Sequence, residues 1–420
     1  MSKYIFTAKK RQSEPSLGRI IAVILVVMVV VYGGLQWWAG SGSGGGNVEA
    51  STAPAAVAAS AGIDDVRVLM EQGDLAAARA ALADAPESGL LREALMAKIE
   101  AEKGGLQQAL GTLESALETH ATSPDHAEAS VIYARMLEDA GRLDDAVTVF
   151  TRIREQAPAR FRAAALSGLG RAAERGDDAV RARDLFRAAL KDVPRNSPYW
   201  EEAVAGLGRT NVALIFSQAE TPDSKTYVVQ SGDSLTSIGM KLNTTQGLLT
   251  RANGLEEDSI LRIDQRLKYT PKDFRIVVER STCRLYLFDN NGLFKMYKTG
   301  LGREGFETTL GRYTIGNKQK DPVWFKPGAE PVPAGDPENE LGTRWMPLVP
   351  AEPGLPTDLG IHGTIDPDTI GTYASRGCPR MYTEEVEELY DLVVRSTPVE
   401  IVEEVDWDAQ GVVQETLARV

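Results

Sequence analysis

The sequence predicts a multidomain chain with four kinds of segment: an N-terminal transmembrane helix, an all-α helical-repeat array, a small βααβ module and a mainly-β C-terminal domain. Three observations carry this. Ile20 to Trp38 contains no charged residue. Between residues 63 and 216 a Gly-bearing fragment recurs every 31 to 37 residues or roughly so, among apolar positions of helical period. After residue 274 the pattern changes to strand-like apolar runs separated by Gly, Asn and Pro. At 420 residues the chain is too long for one ordinary core, and its 43% hydrophobic and 25% charged composition is globular.

Residues 1–19 carry Lys3, Lys9, Lys10, Arg11 and Arg19 against Glu14 alone. As a helix, residues 20–38 extend about 28 Å, enough for a bilayer core. The basic cluster before the span, with Tyr32, Trp37 and Trp38 near its far end, places the N-terminus in the cytoplasm and the remaining chain outside, on the periplasmic or cell-wall side. The apolar run is long for a cleaved signal peptide and no clear Ala-x-Ala site follows, so an uncleaved single-pass anchor is expected. Residues 39–62, rich in Gly, Ser and Ala, form a linker with a mean reach of roughly 25–30 Å.

The formal net charge is -13, and with the basic tail set aside the remainder is more acidic still. Such a body repels phosphate backbones, which excludes nucleic acid as a partner. Two cysteines and three histidines, without CxxC or HExxH spacing, predict no metal site and no cofactor.

In the helical array, residues 63–216, the recurring fragments begin at Gly73, Gly104, Gly141 and, more weakly, Gly176, and the first three end in Ala78, Ala109 and Ala146. Gly tolerates the backbone of a tight turn, and a small Ala lets two helices approach closely. The pattern resembles tetratricopeptide repeats, which implies a scaffold and a possible protein partner. His120 and His126 flank a proline and read as exposed loop residues.

Residues 226–271 read Tyr227-Val-Val-Gln-Ser-Gly-Asp-Ser-Leu-Thr-Ser-Ile238, a strand entering a Gly-Asp turn and a short helix. This string is similar to the LysM domain, a βααβ fold that binds N-acetylglucosamine-containing glycans. The resemblance implies glycan contact near the turn, at Gly232, Asp233, Ser234 and Leu235.

In the last domain, residues 274–402, strands are expected over 275–280, 283–288, 293–298 and 308–315, and Pro322 to Pro337 as loop because proline cannot donate to a ladder. Thr383 opens a helix with Val386, Leu389, Tyr390 and Val393 on its buried face; residues 403–420 are a C-terminal tail. The chemistry is concentrated in Ile361-His362-Gly363-Thr364 and Ser375-Arg376-Gly377-Cys378-Pro379-Arg380-Met381. A cysteine attacks an amide carbonyl as thiolate, which requires a base or cations beside it. His362 is the base candidate, and Arg376 and Arg380 supply positive charge. The amides of Gly377 and Cys378 are candidates to face a developing oxyanion. Cys283 reads as structural, and a Cys283–Cys378 disulfide is rejected for the active form because it consumes the nucleophile.

These segments, with Thr308-Thr-Leu-Gly-Arg-Tyr and Asn339-Glu-Leu-Gly-Thr-Arg-Trp-Met346, resemble the YkuD-type L,D-transpeptidases over roughly 130 residues. The resemblance implies that Cys378 takes the acyl group of the third peptidoglycan stem residue, a diamino acid, and expels the terminal D-alanine. It further implies that His362 is the general base, that the Gly363 carbonyl orients its ring, and that an amine from a second stem resolves the thioester. Ser375, Arg376 and Arg380 are the candidate substrate-binding residues. Pro379 and Thr309 depart mildly from the family pattern. Water as acceptor, giving an L,D-carboxypeptidase, and a non-enzymatic wall-binding scaffold are the alternatives.

Overall fold

A computed structural model describes residues 62–84, 89–191, 193–195, 197–326 and 328–408. The expected anchor at 20–38 and most of the flanking tail and linker lie outside the described residues. Within them, no helix is long and apolar enough to cross a membrane.

The repeat array comprises α1 (Ile63–Glu71), α2 (Leu75–Asp84), α3 (Leu90–Glu100), α4 (Leu106–Thr119), α5 (His126–Asp139), α6 (Leu143–Gln156), α7 (Ala159–Arg175), α8 (Ala179–Ala189) and α9 (Pro198–Phe216). The first eight pack as successive hairpins. Gly73, Gly104 and Gly141 occupy the hairpin turns with positive φ, and the Ala five residues later (Ala78, Ala109, Ala146) is buried. In the fourth hairpin the left-handed residue is Asp177 (φ 58°), not Gly176, and the buried alanine moves with it to Ala182. The repeat is therefore kept by the distance from the left-handed residue to the close helix contact, not by glycine itself. His126 opens α5 and is half-buried, its ring 3.4 Å from Ser130 Oγ, and so is not a loop residue.

The LysM-like segment follows as β1 (Lys225–Val228), α10 (Leu235–Leu242), α11 (Gln246–Asn253) and β2 (Arg266–Tyr269), with the two strands antiparallel. Its small core holds Val229, Leu235, Ile238, Leu249 and Leu267.

The C-terminal domain contains β3 (Arg275–Glu279), β4 (Arg284–Asp289), β5 (Gly292–Lys298), β6 (Leu301–Gly302), β7 (Gly311–Ile315), β8 (Gln319–Lys320), β9 (Arg344–Pro350), β10 (Gly360–His362), β11 (Tyr373–Ser375), α12 (Thr383–Leu392) and β12 (Pro398–Val402). The main sheet runs β10-β9-β7-β12-β3-β4-β5, with β8 beside β9, as a β half-barrel; β6 and β11 form a separate parallel pair. Helix α12 buries Val386, Leu389 and Leu392 against the sheet, while Tyr390 is only partly covered. Two strand boundaries differ from the sequence expectation. Cys283 precedes β4 in a turn with φ 52°, and Thr308 lies before β7 as a fully buried loop residue. The proline-rich stretch is not wholly irregular either: Trp324 and Val332 exchange two backbone hydrogen bonds of 2.9 Å, using residues that have an N–H to give.

Side chains alternate across a strand, and here both faces are apolar. Ile276, Val278, Leu285 and Leu287 enter the core beneath α12, whereas Val277, Tyr286 and Phe288 face the other way. That second face packs against Phe186, Trp200, Val204 and Leu207 of the repeat array, with Trp407 wedged edge-on to Trp200 and Tyr286. Asn211 donates to the Phe294 carbonyl at 2.8 Å in this contact. The repeats are therefore fused to the sheet.

The LysM-like segment is fused as well. Leu248 and Ile215 belong to the same core as Ile276 and Leu389. Thr245 Oγ1 donates to the Asp391 carbonyl, and Arg251 pairs with the Asp391 carboxylate at 3.3 Å. Lys268 from β2 donates to the carbonyls of Leu214 and Ser217 (2.9 and 2.6 Å), closing the C-terminal end of α9. Leu248→Ala is accordingly expected to destabilise the C-terminal domain by about 2–5 kcal/mol. The denaturant dependence of Cys283 alkylation, which reports exposure of that core, measures this; an unmoved Cys283 transition would show independently folding modules.

Candidate functional site

The loop that carries Cys378 is shaped by backbone before any side chain acts. It leaves β11 and returns as a bridge between two partners. Arg380 exchanges hydrogen bonds with Gly300 (2.8 and 2.9 Å), while His362 N donates to the Pro379 carbonyl at 3.2 Å and Met381 N donates to the His362 carbonyl at 2.9 Å. At the crest Gly377 has φ 118°, a region in which any side chain is strained. The Thr308 hydroxyl donates to the Gly377 carbonyl at 2.7 Å and accepts from Gly302 N at 3.0 Å, which holds that conformation.

Cys378, His362, Ser375, Arg376 and Arg380 line one cleft of about 460 Å³, together with Trp324, Phe325, Glu340, Trp345 and Asp358. The His362 ring is buried, 5.7 Å from the Trp345 ring centre. Its Nδ1 lies 2.7 Å from the Gly363 carbonyl oxygen, an acceptor that keeps the proton on Nδ1 and leaves Nε2 as the basic nitrogen. The Cys378 Sγ lies 3.8 Å from the Asp358 carbonyl oxygen. Cys283 and Cys378 are both free thiols.

Electrostatics departs from the expectation of a cation-stabilised thiolate. Burial pushes the Cys378 thiol up to about 11, outweighing a hydrogen bond from the Gly360 amide and the charge of Arg380. Burial, helped by Arg380, lowers His362 to about 4 against the opposing effect of the Gly363 and Glu340 carbonyls. The resting pair at neutral pH is thus a thiol and a neutral imidazole.

Several candidate residues are placed differently from their sequence-based roles. Gly377 N donates to Ser375 Oγ at 3.1 Å, so that amide is already engaged, whereas the Cys378 amide makes no hydrogen bond among the described residues. Ser375 is buried and serves the loop. Arg380 is not free around the thiol but pairs with Glu340 at 3.1 Å. Arg376 is exposed and forms no ion pair among the described residues. In the LysM-like turn, Asp233 accepts from Tyr227 Oη (2.7 Å), Gln230 N (2.8 Å) and Lys241 Nζ (2.7 Å), Ser234 caps α10, and Leu235 is core. Gly232 and Ser234 remain outward, joined across the Val229–Gln265 backbone bond by a loop whose Ile260 and Ile263 are 92% and 64% exposed. Thr308, Glu340 and the two isoleucines were not singled out from sequence. Thr308 and Glu340 lie in two of the blocks that carry the family resemblance, which is the signal that could have found them.

Comparison with known proteins matches residues 273–401 to the L,D-transpeptidase catalytic domain, 227–270 to the LysM domain and 94–161 to a tetratricopeptide repeat. The chain is 30% identical to YkuD of Bacillus licheniformis over 186 residues, which span 42% of this chain and 97% of that protein. It is 30% identical to YkuD of Bacillus subtilis over 181 residues (42% and 98%), and 29% identical to ErfK/SrfK of Escherichia coli over 201 residues (44% and 60%). With nearly the whole of a 30% identical relative matched, the chain belongs to the YkuD family of L,D-transpeptidases, carrying a LysM domain and tetratricopeptide repeats in addition.

Proposed function

We propose that the protein is a peptidoglycan L,D-transpeptidase in which Cys378 is acylated by the third residue of a stem peptide, terminal D-alanine leaves, and an amine of a second stem takes the acyl group. The observation that carries this is the Cys378 thiol in one cleft with a histidine whose Nδ1 is committed to the Gly363 carbonyl. His362 Nε2 accepts the thiol proton as sulfur attacks the carbonyl carbon, and returns it to the departing D-alanine amine. The incoming amine then gives its proton to His362 as it attacks the thioester carbon, and His362 returns that proton to the departing Cys378 sulfur. The Cys378 amide is the available donor for the oxyanion. With Arg380 paired to Glu340, Arg376 at the rim is the cation left for the terminal carboxylate of the stem. Residues 20–38 anchor the chain, with the cleft on the outer side of the membrane, and the Gly232–Ser234 turn with Ile260 and Ile263 holds the glycan strand.

Cys378→Ala is expected to abolish covalent adduct and turnover, read by intact-protein mass. A tetrapeptide stem should leave a tripeptide-acyl adduct on Cys378, whereas a tetrapeptide-acyl adduct from pentapeptide would mean D,D chemistry and overturn the reading. Cross-linked dimers establish transfer; free tripeptide as the sole product would favour the carboxypeptidase.

The resting neutral pair sets a pH dependence. A thiol raised to about 11 gains thiolate as pH rises toward that value, and an imidazole lowered to about 4 is already in its basic form above pH 5 or so. Iodoacetamide alkylation of Cys378 should therefore climb about tenfold per pH unit from pH 7 to 10. A plateau reached near pH 7 would instead reveal a preformed thiolate–imidazolium pair. For the glycan grip, Ile260→Ser with Ile263→Ser should weaken co-sedimentation with sacculi on the order of tenfold; unchanged sedimentation would remove those residues from the contact.

A further inference from the structure

On the reading of the protein as a peptidoglycan enzyme, we propose that the cleft between the LysM-like segment and the C-terminal domain is a saccharide subsite. It seats the sugar whose own stem peptide enters the Cys378 cleft.

This junction cleft, of about 530 Å³, shares no lining residue with the cysteine cleft. It is built from the α10–α11 turn, the end of α12 and β8, and its volume is that of a small-molecule site. Its charged side chains are largely committed within the protein. Asp391 pairs with Arg251 at 3.3 Å, Glu257 pairs with Lys320 at 3.1 Å, and Lys318 donates to the carbonyls of Tyr390 and Val393. Among the described residues Arg395 makes no ion pair, but one cation facing Asp391 and Glu257 in the same cleft does not select an anion. The uncharged groups are available: among the described residues, neither the Asn243 amide nor the Thr244 hydroxyl makes a side-chain hydrogen bond. Beside them Met240 is 74% exposed, and Tyr390 adds an aromatic wall. Apolar surface interleaved with neutral donors and acceptors suits a ligand built the same way, and an N-acetylated sugar is one.

The cleft continues the proposed glycan grip. Thr236, Met240 and Asn243 are spaced to share one side of α10, which leads from the Ser234 cap into the cleft over about 12 Å. Thr236 Oγ1 donates to Gln246 at 3.0 Å and Gln246 donates to the Glu257 carbonyl at 2.9 Å, closing a floor between α10, α11 and the loop that bears Ile260. On the far side, β8 is a wall common to both clefts: Lys320 lines the junction cleft and its neighbour Gln319 lines the cysteine cleft. Adjacent residues of a strand point to opposite sides, and one strand is about 5 Å wide. The third residue of an extended stem lies up to about 10 Å from its sugar. A sugar on one side of β8 thus has a stem long enough to reach the cleft on the other, and holding the sugar raises the local concentration of that stem.

The test uses the full chain in detergent, carrying Cys378→Ala, with three soluble probes. These are the disaccharide of N-acetylglucosamine and N-acetylmuramic acid, the same disaccharide bearing a tetrapeptide stem, and the tetrapeptide alone. In calorimetry, Asn243→Gly with Thr244→Ala is expected to weaken both sugar probes about tenfold, the share of two neutral hydrogen bonds, and to leave the free tetrapeptide unchanged. Glycine keeps the left-handed backbone of Asn243 (φ 50°), and the unchanged tetrapeptide reports an intact fold. Undiminished sugar binding would overturn the subsite and leave the glycan to the Gly232–Ser234 turn. An equal loss for the free tetrapeptide would overturn it as well, by making the cleft a peptide site. Adducts on wild-type Cys378 are weighed in parallel. A sugar-dependent loss with no adduct from either stem would reject the transpeptidase reading and leave the subsite standing.

Discussion

The site depends on a backbone exchange: His362 binds across to Pro379 and Met381 while Arg380 binds across to Gly300. Four backbone hydrogen bonds hold the Cys378 loop between the end of β10 and the turn after β5, so the main chain that carries the thiol is tied to the main chain that carries the imidazole. The left-handed Gly377 and its Thr308 tether act within that frame, and the two charges behind the cysteine take their places from it. A hydrogen-bonded crossing of this kind fixes positions to fractions of an ångström, which is the precision that attack on a carbonyl needs.

The same burial that fixes the groups suppresses their charges. Desolvation raises Cys378 and lowers His362, so the cleft favours two neutral groups until a carbonyl arrives. Under the proposed reading, charge then appears only along the reaction, where the Gly360 amide and Arg380 already oppose burial in favour of thiolate. Cys283 also has its thiol raised by burial, yet it lies in the closed core beneath α12 and not in the cleft. Access and the His362 ring in the same cleft distinguish Cys378 from Cys283.

The sheet explains why the modules are joined. Strands β3 and β4 are apolar on both faces, and a sheet so built needs a covering layer on each side. Helix α12 with Leu248 and Ile215 covers one face; Phe186, Trp200 and Leu207 cover the other. As a result the LysM-like segment stands at a fixed orientation to the cleft. If it grips glycan, a rigid connection raises the effective stem concentration only for strands whose geometry matches it, unlike a flexible tether.

By itself the sequence determined the family, the module order, the repeat period and Cys378 and His362 as candidates for one site, because each is carried by residues close together in the chain: a turn residue and an alanine five positions on, a Gly-Asp-Ser-Leu turn, a histidine and a cysteine in one short stretch. The double-sided burial was also legible, since Ile276-Val-Val and Leu285-Tyr-Leu-Phe are continuous apolar runs and not alternating ones. Tertiary structure alone decided what depends on distant partners. Thr308 reads as a strand residue until Gly302 and Gly377 close around its hydroxyl, and Arg380 reads as a free cation until Glu340, forty positions earlier, is brought beside it. The neutral state of Cys378 and His362 belongs to the same class, because desolvation is a property of everything packed around a group and no local pattern of residues records it.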